Sequence, residues 1–139
     1  VTYITSDRRA RYDAAFEAAK YREKWLSSVR EEIVEFCTLA VMMAVDNKKS
    51  RQDINSLFSR KLRIQLSIPP TNPNFKAFCD AADIIYTRAL EPKDLTQSMN
   101  LQEITSISHN ILKSEWDEIQ QLLATGIEKE KRKNNVKNQ

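Results

Sequence analysis

The spacing of apolar residues along the chain predicts four helices, of which the first is unusually long. Neither proline nor glycine occurs between residues 7 and 45, and positions 33–45 are apolar on nearly all sides, as in a central buried helix. The earlier part carries only a thin apolar stripe at helical spacing, formed by Tyr12, Phe16 and Ala19. We therefore expect a first helix that begins near Ser6 or Asp7 and ends near Val45, about 60 Å long at a rise of about 1.5 Å per residue.

Capping residues and prolines set the limits of the next two helices. Ser50 stands three residues before Asp53, a spacing typical of a capping box, so the second helix is expected to start at Ser50. Pro69 ends this helix, because the residue before a proline is pushed out of the α region. Asn72 is then expected to cap the third helix, with Pro73 at its first helical position.

The fourth helix is expected from about Asn100 to Ala124, with Gly126 at the position where glycine commonly ends a helix. Four helices joined by short connections pack most simply as an up-down-up-down bundle, so we predict an all-α four-helix bundle with a long first helix. Residues 1–126 would form a single helical-bundle domain. Residues 127–139 are charged and rich in asparagine, and we predict that they form a disordered basic tail.

Two basic clusters stand near the chain ends, although the net charge is only +3. Both ends of an up-down-up-down bundle lie on the same side, so the fold would bring the clusters together. This basic patch comprises Arg8, Arg9, Arg11, Lys129, Lys131, Arg132 and Lys133. Three interpretations are open: a solvated tail, a patch that binds anionic lipid, or a surface that binds nucleic-acid phosphates. The last lacks aromatic residues between the tail charges and a helix-turn-helix pattern.

Few residues offer chemistry for catalysis or metal binding. A single glycine excludes phosphate-cradling loops and dinucleotide fingerprints, which need several. Cys37, Cys79 and His109 lack the number and spacing of zinc ligands, and a di-iron bundle would need two Glu-x-x-His motifs. His109 beside a nucleophile such as Ser106, Ser108 or Cys37 is the remaining route to hydrolysis. We expect two reduced thiols, no metal, no cofactor and no catalytic residues.

An acidic cluster on the first helix consists of Glu31, Glu32 and Glu35. Glu31 and Glu35 share one face of the helix at i, i+4 spacing. The sequence identifies no further carboxylates beside them, so we expect salt bridges to neighbouring arginine or lysine residues rather than a metal site.

Three strings resemble those of a loose group of small bacterial and prophage proteins. They are R-x-x-W-L-x-x-V-R at residues 22–30, L-R-I-Q-L at 62–66, and I-L-K-x-E-W at 111–116. Members of the group typically carry an N-terminal transmembrane helix and then a cytosolic helical domain, and the resemblance covers residues 20–118. It implies a cytoplasmic domain tethered to the inner membrane by a segment that would precede Val1. The group has no established activity, so the resemblance implies no catalytic role.

Two tryptophans in these strings are expected at similar heights, because the first and fourth helices run antiparallel in the predicted bundle. Our hypothesis is that Trp25 and Trp116 form one aromatic–cationic cluster with Arg30 and Lys113, with a cation–π contribution of about 0.5–2 kcal/mol. The alternative is that Trp25 simply anchors the core.

These patterns together predict a non-enzymatic helical interaction domain. The stripe that begins at Tyr12 extends beyond what a compact four-helix core needs, and such a stripe usually meets another helix. Homodimerisation is the simplest version, with another helical protein or an anionic membrane surface as other partners. The candidate interaction residues are Tyr12, Phe16, Trp25, Arg30 and Trp116. The alternatives are a nucleic-acid-associated protein that uses the basic patch, and an enzyme with a polar pocket that the sequence does not reveal.

Overall fold

The structure is a computed structural model of the 139-residue chain, and it describes residues 2–46, 49–91 and 101–137. For residues 2–6, 127–131, 133, 134 and 137 it describes only the backbone. Regular secondary structure in the described ranges is entirely helical, which confirms the all-α prediction. The four helices are α1 (Thr2–Val45), α2 (Arg51–Ser67), α3 (Phe75–Leu90) and α4 (Leu101–Lys137).

Helix α1 ends at Val45 as predicted, but it begins at Thr2, so the prediction of a start at Ser6 or Asp7 is wrong. Nothing in the first residues breaks a helix, because they contain neither glycine nor proline. A potential capping residue therefore lies inside the helix rather than at its end.

Helix α4 continues eleven residues past Gly126 to Lys137, so the prediction that it ends there is wrong. Gly126 does not adopt a positive φ, the conformation that a C-terminal glycine cap requires. Glycine costs a helix about 1 kcal/mol relative to alanine, and the lysine, glutamate and arginine residues that follow are good helix formers. The assignment of residues 1–126 as one domain stays a prediction.

The start of α2 agrees with the sequence, whereas the start of α3 does not. Ser50 Oγ accepts a hydrogen bond from the Asp53 N–H at 3.0 Å, which confirms the predicted cap. Asn72 does not cap α3 directly, because the helix begins at Phe75 with Asn74 as its N-cap residue. The Asn72 side chain instead accepts the Asn74 N–H at 2.9 Å and so organises the turn that precedes the helix.

The chain divides into two compact units. Unit 1 consists of Val1–Ser27 and Lys113–Gln139, and unit 2 consists of Ser28–Leu112. Helices α1 and α4 each contribute to both units, whereas α2 and α3 belong to unit 2 alone.

The core of unit 2 follows a repeat of three and four residues along its helices. This alternation is typical of helices that pack side by side at small crossing angles. The buried residues in this repeat are Val29, Ile33, Phe36, Ala40 and Met43 of α1, Leu57, Ile64 and Ile68 at α2, Phe78, Ala82, Ile85 and Ala89 of α3, and Ile104, Ser108 and Ile111 of α4.

Unit 1 is an antiparallel pair of helix segments. The Arg22 guanidinium lies 3.0 Å from a carboxylate oxygen of Glu118, and a Cβ added to Gly126 would lie 3.3 Å from Cβ of Ala15. The residue numbers of these two pairs add to 140 and 141. A lower-numbered position of α1 therefore lies beside a higher-numbered position of α4, as in two antiparallel helices. Any position on one segment can therefore be matched with its level on the other.

Candidate interaction surfaces

Two stacked aromatic rings on α1 form the most distinctive surface of unit 1. The Tyr12 and Phe16 rings lie 6.3 Å apart between centroids with only 9° between their planes, and Lys20 Nζ lies 5.0 Å from the Phe16 centroid. These three residues are spaced i, i+4, i+8 on one face of α1, and we call them the aromatic stripe. Ala19 was predicted to belong to this stripe, but it is buried.

The aromatic stripe is exposed although its members contact one another. Tyr12 is 51% exposed and Phe16 is 45% exposed. Offset stacking is worth about 0.5–1.5 kcal/mol, and a cation–π contact at an exposed site about 0.5–1 kcal/mol. These local contacts favour one arrangement of the rings in the single copy.

Unit 1 buries few apolar side chains of its own. In its described part the buried apolar residues are Ala19, Leu26 and Ile119. More large apolar side chains remain exposed, from 41% for Trp116 to 76% for Val136. They are Tyr12, Phe16, Tyr21, Trp116, Leu122 and Val136. A thin interior beside a larger exposed apolar set is typical of a surface that meets a partner.

The two tryptophans lie at the same level of unit 1, since their numbers add to 141, but they do not form the hypothesised cluster. Neither Trp25 nor Trp116 takes part in a ring pair or a cation–π contact of the described residues. Trp25 directly precedes the buried Leu26, and Trp116 directly follows the buried Glu115. Each tryptophan is therefore turned about 100° around its helix from a buried position. Arg30 is exposed on α1, as is Lys113 on α4.

The backbone of unit 1 places the two basic clusters at matching levels. At the observed register, positions 8–11 of α1 lie level with positions 129–133 of α4. Arg8 is partly exposed, while Arg9, Arg11 and Arg132 are exposed. Arg11 forms an ion pair with Asp7 at 3.4 Å.

The acidic cluster of α1 pairs with one arginine of α2. Arg60 forms ion pairs with Glu35 and, at 3.8 Å, with Glu32, which confirms the predicted salt bridges for these two carboxylates. Glu32 Oε2 is buried and accepts no hydrogen bond from a described residue. Glu31 is exposed and forms no ion pair within the described ranges.

A cationic cluster between α2 and α3 was missed by the sequence reasoning. Lys61 Nζ lies 2.6 Å from a carboxylate oxygen of Asp83, 4.8 Å from the Tyr86 ring centroid and 5.7 Å from that of Phe58. The Phe58 and Tyr86 rings meet edge to face at 6.1 Å. The i, i+3 spacing of Phe58 and Lys61 was a signal for part of this cluster, but Asp83 and Tyr86 come from another helix.

Both thiols have raised pKa values, and the single histidine is exposed. Burial raises the pKa of the Cys37 thiol, and burial with the Asp83 and Asp80 carboxylates raises that of Cys79 against the opposing effect of Lys61. A raised pKa leaves less thiolate, the reactive form. His109 is exposed, and no hydrogen bond joins it to a serine or cysteine that the structure describes.

Among the described side chains, no group of three histidine, cysteine or acidic residues is placed to hold a metal. Over the same part of the chain, every helix is too short or too polar to cross a bilayer. The chain matches no protein-family model, no curated protein and no solved structure.

Proposed function

We propose that this chain is a non-enzymatic helical interaction protein, and that the aromatic stripe of unit 1 binds a second copy of the same chain. The observation that carries the proposal is the stacked Tyr12–Phe16 pair, held in place yet about half exposed. Burying such a pair removes apolar area from water at a lower cost of ordering the rings than for two unstacked side chains.

Packing supports a second copy as the partner. A pair of helices can bury only the stripe that each turns towards the other, whereas four helices enclose a full core. Two copies of unit 1 joined through their aromatic stripes would supply four helix segments. The contact would be isologous, with a two-fold axis that maps each stripe onto the other.

The charges on this face of α1 are self-complementary in one orientation. When two α1 helices lie antiparallel with their Phe16 residues level, Arg9 of one copy is level with Glu23 of the other, and Tyr12 with Lys20. Arg9 and Glu23 are exposed and form no ion pair with a described residue. The antiparallel orientation therefore adds two ion pairs and two cation–π contacts to the apolar contact.

The same proposal includes the up-down-up-down arrangement of the helices and the cytoplasmic, membrane-tethered setting that the resemblance implies. The three- and four-residue repeat of buried positions and the antiparallel segments of unit 1 support the bundle. The tether is testable by reading the coding sequence upstream of Val1 for a transmembrane segment.

Sedimentation equilibrium over a wide range of protein concentrations tests the association. We expect the wild-type protein to dimerise, and the double variant Tyr12→Ser with Phe16→Ser to dimerise at least tenfold more weakly. Each copy contributes two half-exposed rings, and completing the burial of all four is worth about 4 kcal/mol, or about a thousandfold in Kd. The matched control is Tyr21→Ser, an aromatic residue of the same helix that is 73% exposed and off the stripe.

The association proposal is wrong if the wild-type protein remains monomeric at the highest concentration reached. It is equally wrong if Tyr21→Ser weakens the dimer as much as the double variant does. Charge reversal gives a second check: Arg9→Glu should weaken the dimer, and adding Glu23→Arg should restore it.

A further inference from the structure

We propose that the paired helix ends of unit 1 form a docking surface for an anionic lipid bilayer. This basic end consists of Arg8, Arg9 and Arg11 of α1 with positions 129, 131, 132 and 133 of α4. The proposal does not rest on self-association, because a single copy of unit 1 contains the whole surface.

Juxtaposition of the two basic clusters is the first support. The Arg22–Glu118 and Ala15–Gly126 contacts fix the register of the two segments at sums of 140 and 141. At that register, Arg8 and Arg9 of α1 are level with Arg132 of α4. Residues more than a hundred positions apart in sequence therefore share one end of the helix pair.

The distribution of charge is the second support. Eight of the 22 basic residues but only three of the 19 acidic residues lie within positions 1–12 and 127–139. These segments carry a net charge of +5, so the remaining 114 residues carry −2. An anionic surface would therefore attract this end of unit 1 more strongly than the rest of the chain, whose net charge is slightly negative.

The placement of the basic residues around the helices favours a flat surface over a nucleic-acid groove. Successive helical residues are 100° apart, so Arg8, Arg9 and Arg11 spread over nearly half of the circumference of α1. Positions 129–133 span more than one turn of α4. A helix that binds in a nucleic-acid groove contacts the bases with one face. A helix whose end meets a flat anionic bilayer brings the residues on all of its sides near the lipid head groups.

A second basic surface lies on α2 and provides the matched control. An open depression of about 530 Å³ is lined by Arg51, Gln52, Asn55, Ser56, Ser59, Arg60 and Arg63. Arg60 is already paired with Glu32 and Glu35, whereas Arg51 and Arg63 are exposed and form no ion pair with a described residue. An anion whose binding requires only exposed arginine side chains would bind to this surface of α2 as well as to the basic end.

Co-sedimentation with vesicles tests the proposal. The probes are vesicles of phosphatidylcholine alone and of phosphatidylcholine with phosphatidylserine, each at low and at physiological salt. The variant Arg8→Glu, Arg11→Glu, Arg132→Glu reverses three charges of the basic end and leaves Arg9, which the dimer proposal uses, unchanged. The variant Arg51→Glu, Arg63→Glu, Lys76→Glu makes the same net change in unit 2. Circular dichroism of both variants verifies that they are folded.

We expect salt-sensitive binding that requires phosphatidylserine. Each basic residue near an anionic bilayer is worth about fivefold in binding, so the basic-end variant should lose at least about 100-fold and the unit 2 variant little. Absence of phosphatidylserine-dependent binding by the wild-type protein would overturn the proposal, as would an equal loss in both variants. Tighter binding to a duplex DNA competitor would overturn it in favour of a nucleic-acid surface.

Sedimentation equilibrium on the same variants separates this proposal from the dimer proposal. Failure of the dimer, with lipid binding intact, refutes only self-association. A wild-type dimer that shows no phosphatidylserine-dependent binding refutes only the docking surface.

Discussion

Replacing Lys61 tests how a cation stabilises the packing of α2 against α3. Its side chain is only 13% exposed, and it lies midway in the repeat that buries Leu57 and Ile64. The ammonium group faces Asp83 and the rings of Phe58 and Tyr86. A lysine at such a position contributes both its charge and its aliphatic stem.

The magnitude can be worked from these contacts. The ion pair with the half-exposed Asp83 is worth about 0.5 kcal/mol, and the two cation–π contacts about 0.5 kcal/mol each. Three buried methylene groups of the stem add about 2 kcal/mol. We therefore expect Lys61→Ala to lower the free energy of unfolding by about 3.5 kcal/mol. Lys61→Met keeps the stem and should cost about 1.5 kcal/mol.

Urea unfolding followed by circular dichroism measures both changes, at one protein concentration so that any association is held constant. The matched control is Lys76→Ala, an exposed lysine of α3, which should alter stability by less than about 0.5 kcal/mol. A double-mutant cycle of Lys61→Met with Asp83→Asn should give a coupling energy of about 0.5 kcal/mol.

Two results would refute this account of Lys61. If Lys61→Ala costs no more than Lys76→Ala, the stem and the charge contribute nothing to packing. If Lys61→Met costs as much as Lys61→Ala, the stabilisation is purely electrostatic and the estimate for the stem is wrong.

Further predictions concern the helix cap and the thiols. Ser50→Ala should destabilise the protein by about 1 kcal/mol because the Asp53 N–H loses its acceptor, and a thermal melt should distinguish it from the near-neutral control Ser59→Ala. Cys37 and Cys79 should react with iodoacetamide more slowly than a free cysteine at pH 8, with rates still rising above pH 9, since both pKa values are raised. The ordinary pKa of a cysteine thiol is 9.0, so above pH 9 the thiols lose their protons more readily in the unfolded chain than in the folded protein. The free energy of unfolding should therefore fall as the pH rises above 9. A pH-independent alkylation rate from 8 to 10 would contradict this.

Local signals predicted local structure well. The four helices follow from apolar spacing and from breakers such as Pro69, and the α2 cap follows from Ser50 and Asp53. Errors arose where two local signals compete. Asn72 could cap a helix or organise a turn, and its bond to the Asn74 N–H selects the turn. Gly126 could end a helix or lie within it, and here the helix-forming residues after it prevail.

Candidate surfaces were predictable only as far as they depend on one helix. The Tyr12–Phe16 pair follows from i, i+4 spacing along α1. The failure of the tryptophan cluster could not be foreseen, because a common level does not fix the direction of each ring around its helix. The Lys61 contacts with Asp83 and Tyr86 depend on how two helices face one another, and no spacing within one segment encodes that.

The register of unit 1 also makes the start of α1 and the end of α4 suitable positions for a pair of labels. With paired residue numbers adding to 140 or 141, positions near the first residues of α1 lie beside positions near Lys137 of α4. Two fluorescent proteins attached at these two helix ends would lie side by side, within energy-transfer distance. Loss of transfer would then report separation of the helix pair in a living cell, without any labelled ligand.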